Sequence, residues 1–99
     1  ENGADVDKAS CFDGATPLFI ASCGGHVTCV TALLEHGADV DKCRTDNGGT
    51  PLFIASQLGH VDCVRLLIEN GADVETMVAG AAPLHIACER GNVDCARLL

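Results

Sequence analysis

The sequence predicts an all-α fold: a solenoid of stacked helix-turn-helix units with loops or short hairpins projecting from one edge. Three observations predict it. Gly3-Ala4-Asp5-Val6 returns as Gly37-Ala38-Asp39-Val40 and Gly71-Ala72-Asp73-Val74, 34 residues apart each time. Thr16-Pro17-Leu18-Phe19-Ile20-Ala21 returns after 34 residues as Thr50-Pro51-Leu52-Phe53-Ile54-Ala55, and after a further 32 as Ala82-Pro83-Leu84-His85-Ile86-Ala87. Finally, Gly25-His26-Val27, Gly59-His60-Val61 and Gly91-Asn92-Val93 each fall nine residues past the Thr or Ala. Self-similarity at a fixed period of this size is the signature of a repeat architecture.

The elements of each unit follow from their punctuation. Thr16 and Thr50 are helix N-caps, and Pro17 and Pro51 take the first helical position, where a missing N–H costs nothing. An apolar helix of about two turns follows, running through Ala21-Ser22 and Ala55-Ser56, whose small side chains let neighbouring helices approach closely. Gly24-Gly25 and Leu58-Gly59 stop this helix and turn the chain. A second helix is expected from about Val27 to Glu35 and from about Val61 to Glu69. In the first copy its apolar face is Val27, Val30, Leu33 and Leu34, at amphipathic spacing. Gly37 and Gly71 supply left-handed C-caps. The step from that glycine to the next Thr or Ala varies, 13, 13 and then 11 residues, as a loop on one edge should. Thus 39–49 and 73–81 are read as protruding loops or short hairpins. The repeats fall at 10–43, 44–77 and 78–99, with 1–9 as the tail of a preceding one. No such unit covers its own apolar faces, so stability is expected to come from stacking.

Composition agrees and excludes several functions. The chain has 99 residues, 47% hydrophobic, with only Phe12, Phe19 and Phe53 aromatic; small aliphatic side chains suit thin layers better than one large interior. Fourteen acidic residues against six basic ones give a formal net charge of −8. Nucleic-acid binding needs clustered Lys and Arg to offset phosphate charge. Here Lys8, Lys42, Arg44, Arg65, Arg90 and Arg97 are scattered, so neither nucleic acid nor an anionic membrane is an expected partner. No apolar run reaches the length of about 18 residues that suggests a membrane span. Seven cysteines is an odd count, unlike a secreted disulfide framework. Cys29, Cys63 and Cys95 share one helical position and are read as buried core residues. All seven are expected to be reduced thiols, which points to an intracellular reducing compartment, cytoplasmic or nuclear.

These motifs closely resemble the ankyrin repeat, with its Thr-Pro-Leu-His-x-Ala helix start, Gly-His turn and Gly-Ala-Asp-Val close, over essentially the whole chain. Departures are Phe19 and Phe53 at the place of the usual His, which His85 keeps, and Ala82 in place of the capping Thr. Asp7, Asp41 and Glu75 stand where the family often has Asn. The last helix stops at Leu99, about a turn short, and neither end carries a polar capping repeat. The resemblance therefore implies a stretch of a longer array. It also implies a protein–protein interaction module with a rigid concave face made of loop tips and the exposed side of the first helices. Position by position, the implied contact residues are Phe12, Asp13 and Ala15, then Asp46 and Asn47 with Gly49, then Val78 with Ala79 and Ala81. The first-helix ends add Cys23, Gln57, Leu58, Glu89 and Arg90. Phe12, Leu58, Val78 and neighbouring Met77 are apolar at places that need not be buried, as expected of a contact hot spot; the alternative is that Phe12 folds back onto its own loop. A reading of another class is a structural spacer in a larger protein, such as a substrate adaptor of a ubiquitin ligase.

Other chemistry is weak in the sequence. His26-x-x-Cys29 and His60-x-x-Cys63 have a metal-compatible spacing, but the His belongs to the turn motif, where its ring typically bonds backbone, and the Cys to the core. No cofactor, metal or small-molecule substrate is expected. Cys11, Cys23 and Cys43 are expected to be partly exposed, and Lys42 and Arg44 beside Cys43 are the one hint of an activated thiol. Ser10, Ser22 and Ser56 form no nucleophile constellation, and no glycine loop carries a phosphate-binding context, so no catalysis is expected. The acidic residues Asp5, Asp7, Asp13, Asp39, Asp41, Asp46, Asp73 and Glu75 form either a solvated edge or a ridge that steers a basic partner.

Overall fold

A computed structural model describes residue 7 and residues 14–44 and 48–99. Among them are six helices: α1 (Pro17–Gly24), α2 (Val27–Glu35), α3 (Pro51–Leu58), α4 (Val61–Glu69), α5 (Pro83–Glu89) and α6 (Val93–Leu98). They form three antiparallel pairs. Phe12, Asp13, Asp46 and Asn47, expected at the contact face, lie outside the described residues, as do Ser10 and Cys11.

The capping chemistry works as the sequence implies. Thr16 Oγ1 accepts a hydrogen bond from the Phe19 N–H at 3.2 Å, and Thr50 Oγ1 from the Phe53 N–H at 3.1 Å. Ala82 has the same extended backbone, φ −80° and ψ 163°, without a capping side chain. At the other end of α2, the Gly37 N–H donates to the Leu34 carbonyl and the Ala38 N–H to the Leu33 carbonyl, and Gly71 and Ala72 repeat the pattern on α4. These paired bonds satisfy the last helical carbonyls.

The first helices α1, α3 and α5 pack on one another more extensively than do the second helices α2, α4 and α6. Ala21, Ala55 and Ala87 are buried along the tighter row, as are Ser22 and Ser56. The two serine hydroxyls have no hydrogen-bond partner there, which fits their selection for size rather than polarity. Leu18, Val30, Leu52, Cys63, Val64, Leu67 and Cys95 fill the space between the rows. Burying side chains of this size contributes about 1.5–3 kcal/mol each for the aliphatic ones, which compensates for the absence of a central globular core.

The connections differ as their lengths predict. Residues 76–81 close a two-residue hairpin: Val78 and Ala81 exchange both backbone hydrogen bonds, at 2.8 and 3.0 Å. Ala79 and Gly80, at φ +53° and +83°, make its turn, as type I′ geometry requires. The longer connection closes instead through the Arg44 N–H to the Gly49 carbonyl at 2.8 Å.

Three expectations about exposure need correction. Cys29 is exposed, whereas Cys63 and Cys95 are buried. This position faces the preceding helix pair: α2 covers it in the second repeat and α4 in the third, but among the described residues no helix pair precedes α1 and α2. Val78 is 6% exposed, because the hairpin turns it inward and leaves Met77 outside. Ala15, also expected at a loop tip, is buried beside the capping Thr16.

Candidate functional site

The first helices end in a row across the stack. Cys23, Gln57 and Glu89 are equivalent by repeat, and so are Gly24, Leu58 and Arg90. Of the contact residues expected here, Cys23, Leu58, Glu89 and Arg90 are exposed and Gln57 is half-buried. Leu58 is the large apolar one, 45% exposed.

The following repeat fastens this row from below. His60 Nε2 donates to the Cys23 carbonyl at 3.0 Å, which places the ring proton on Nε2. Asn92 Nδ2 donates to the Ser56 carbonyl at 2.8 Å and to the Gln57 carbonyl at 3.1 Å. Helix C-termini leave carbonyls unsatisfied, and here the neighbouring repeat fills that need. Asn92, a departure from the Gly-His pattern, thus keeps the bond that the imidazole makes one repeat earlier. Both contacts require glycine beneath them. Gly25 and Gly59 have φ of +71° and +79°, and a Cβ would come within 2.6 Å of the His60 ring or 2.9 Å of Asn92 Oδ1.

The acidic edge also has an internal function. Asp7 Oδ1 accepts from the Asp39 N–H at 3.0 Å, and Asp41 Oδ1 from the Asp73 N–H at 2.9 Å, each across a repeat boundary. Within each turn, Asp39 accepts from the Asp41 N–H and Asp73 from the Glu75 N–H. These carboxylates tie successive closing turns together, which accounts for their recurrence and offsets their mutual repulsion.

The groove beside α1 was not legible in the sequence. The Arg44 guanidinium sits over the Phe19 ring, 5.2 Å from its centroid, within cation–π range. With Ala15, Ile20 and Cys23 these two line a shallow groove. Phe19 and Arg44 lie in different repeats, so no local pattern signals the pair; Cys43, beside Arg44 in the chain, is exposed.

Among the described residues the thiols and imidazoles do not gather into a centre. His60 is bound to backbone and Cys63 is sealed in the interior, and among the described residues no three His, Cys, Asp or Glu side chains come together around one point. Burial, and then the neighbouring Asp62 or Asp94 charge, pushes the Cys63 and Cys95 thiols up from their ordinary pKa. They are therefore neutral at physiological pH and poor nucleophiles.

Paired short helices, stacked at a fixed repeat and joined by hydrogen-bonded closing turns, define an α-solenoid repeat protein. A family model of three ankyrin repeats matches residues 2–78, and a single ankyrin repeat matches residues 79–99. The chain belongs to the ankyrin-repeat family. No curated protein matches it. Ankyrin repeats are generally protein–protein interaction modules and typically non-enzymatic.

Proposed function

We propose that this segment binds another protein through the loop tips and the ends of its first helices. The row Cys23, Gln57, Leu58, Glu89 and Arg90 carries the described part of that surface, joined by Phe12, Asp13, Asp46 and Asn47 from the loops. The observation that supports this reading best is the exposure of Leu58 on a helix end whose carbonyls Asn92 holds in place. An apolar side chain rimmed by charge on an ordered scaffold suits a contact hot spot, because little conformational entropy is lost on this side when a partner arrives. With a net charge of −8, a partner with a basic rim is favoured over nucleic acid or an anionic lipid surface. Among the described residues no helix is long and apolar enough to cross a membrane.

The reading also places the protein in a reducing compartment, cytoplasmic or nuclear, because Cys63 and Cys95 serve as interior packing residues and need to stay reduced. The test is capture of binding proteins from extract with the wild-type chain and with the double variant Phe12→Ala/Leu58→Ala. Proteins held by the wild type should be retained at least tenfold less by the variant, as expected for loss of a hot spot, while the melting temperature stays within about 2 °C. Equal retention by both would remove this face as the binding site.

A further inference from the structure

The middle repeat has described helices packed on both sides, and Asn70-Gly71, at the end of α4, stays exposed between them. An asparagine followed by glycine is open to attack on its side-chain amide by the next backbone nitrogen, because glycine has no side chain to shield that nitrogen. Gly71 has nothing within 4 Å of where a Cβ would stand. Asn92, the other described asparagine, precedes Val93, whose branched Cβ shields the equivalent nitrogen.

The fold holds the reacting atoms apart. Asn70 Nδ2 donates to the Leu66 carbonyl at 2.8 Å, which turns the side-chain amide back along α4. The Gly71 N–H, whose proton must leave before the nitrogen attacks, donates to the Ile68 carbonyl at 3.0 Å. Asn70 has φ −98° and ψ 17°, so the Gly71 nitrogen nearly eclipses the backbone nitrogen of Asn70 about the Cα–C bond. A five-membered ring needs it beside Cβ instead. Attack therefore requires a backbone rotation that breaks both hydrogen bonds and opens the end of α4. Helix ends are where such local opening takes the least free energy.

We propose that Asn70-Gly71 is a self-modification site gated by the α4 cap, and that it deamidates only from the opened helix end. The Gly71 nitrogen, its proton passed to solvent, bonds to Asn70 Cγ as the Cγ–Nδ2 bond breaks, and Nδ2 leaves with a solvent proton as ammonia. Water then opens the succinimide. Cleavage of the new N–Cγ bond leaves an aspartate in the ordinary backbone, and cleavage of the original N–C bond leaves an isoaspartate, with the backbone running through Cβ and Cγ. One water is consumed, one ammonia is released, and nothing is oxidised or reduced. Either product puts a carboxylate where a donor faced the Leu66 carbonyl, at the negative end of the helix dipole. The isoaspartate also adds a methylene to the backbone just before Ala72, which is buried and donates to the Leu67 carbonyl. Next comes Asp73, whose N–H is tied to Asp41 across the repeat boundary. The modification thus loosens that junction from its closing turn.

Asn2, Asn47 and Asn70 each precede glycine and fall in separate tryptic peptides, 1–8, 45–65 and 66–90. Incubated at neutral pH in guanidinium chloride, the full chain should deamidate in all three, which gives the rate without the cap. Without denaturant, peptide 66–90 should gain the mass of the amide-to-acid exchange more slowly by about tenfold or more, the protection expected of two hydrogen bonds at a helix end. Asn70→Gln, whose attack would need a six-membered ring, should stay unmodified at position 70 in both conditions and keep the wild-type helical circular dichroism. Asn70→Asp, the equivalent of one product, should raise the unfolding equilibrium constant about tenfold, through the lost hydrogen bond and the opposed dipole. Equal rates for peptide 66–90 with and without denaturant would overturn the gate. No mass gain there in denaturant would overturn the site, and an Asn70→Asp chain as stable as wild type would overturn the effect on the junction.

Discussion

Leu52 and Leu84 hold the same place in their repeats, follow the same proline and begin the same kind of helix, yet Leu52 is sealed and Leu84 is nearly half exposed. Cys63 and Cys29 repeat the contrast from the other side. The middle repeat has a neighbour on both faces, and each outer repeat has one among the described helices. The difference teaches that burial in this molecule is a property of the junction rather than of the residue. A repeat contributes stability in proportion to the neighbours it touches, so equivalent substitutions should differ by position.

The largest contrast should come from truncating these leucines. Leu52→Ala should cost about 2–5 kcal/mol, the range for a large-to-small change in a packed interior. Leu84→Ala should cost less than about 1 kcal/mol, since most of its surface already meets water. Urea denaturation of the two variants measures both, and equal losses would break the comparison.

The glycines sharpen it. Gly59→Ala and Gly91→Ala impose the same left-handed strain, about 1–2 kcal/mol, but at Gly59 the new Cβ also meets Asn92 Oδ1 at 2.9 Å while at Gly91 it meets open space. Gly59→Ala should therefore be the more damaging by about 1 kcal/mol, the worth of a disturbed, partly buried hydrogen bond. Thermal melts of the pair would show whether the junction contact carries that difference.

A smaller effect is expected at the helix starts. Thr50→Ala should lose about 1 kcal/mol with its bond to the Phe53 N–H, and Ala82→Thr should gain up to that amount, since the backbone there already has N-cap geometry. No gain at position 82 would mean that the end repeat frays before its cap matters.

The least energetic contrast concerns the thiols. Iodoacetamide should modify Cys29 in the native chain while Cys63 and Cys95 stay protected, read residue by residue by mass spectrometry. The folded state raises the pKa of both buried thiols. Their contribution to stability is therefore complete below the unfolded thiol's ordinary value of 9.0 and is lost as pH rises through the higher folded value. Stability should fall on the alkaline side of pH 9, and Cys63→Ala should flatten that fall.

Much of the fold was legible because its instructions are local. The bounds of α2 and α4, the threonine caps, the glycine stops and the shorter third connection all depend on residues within one unit, and the repetition confirmed each of them. The candidate site was less legible. Leu58 could be placed at an exposed helix end, but Val78 and Ala15 were misplaced because a hairpin's inward turn depends on which backbone groups pair. Arg44 over Phe19 was missed because it joins two repeats.

By itself, then, the sequence determined where α2 and α4 begin and end, which threonines cap the first helices and that the units stack, since capping and periodicity are written in neighbouring residues. The tertiary structure alone decided which copy of a repeated residue is buried. It also turned aspartates that read as a solvated or steering edge into ties between closing turns. Those outcomes depend on what lies across a junction, and identical residues acquire different surroundings according to whether a neighbour is there.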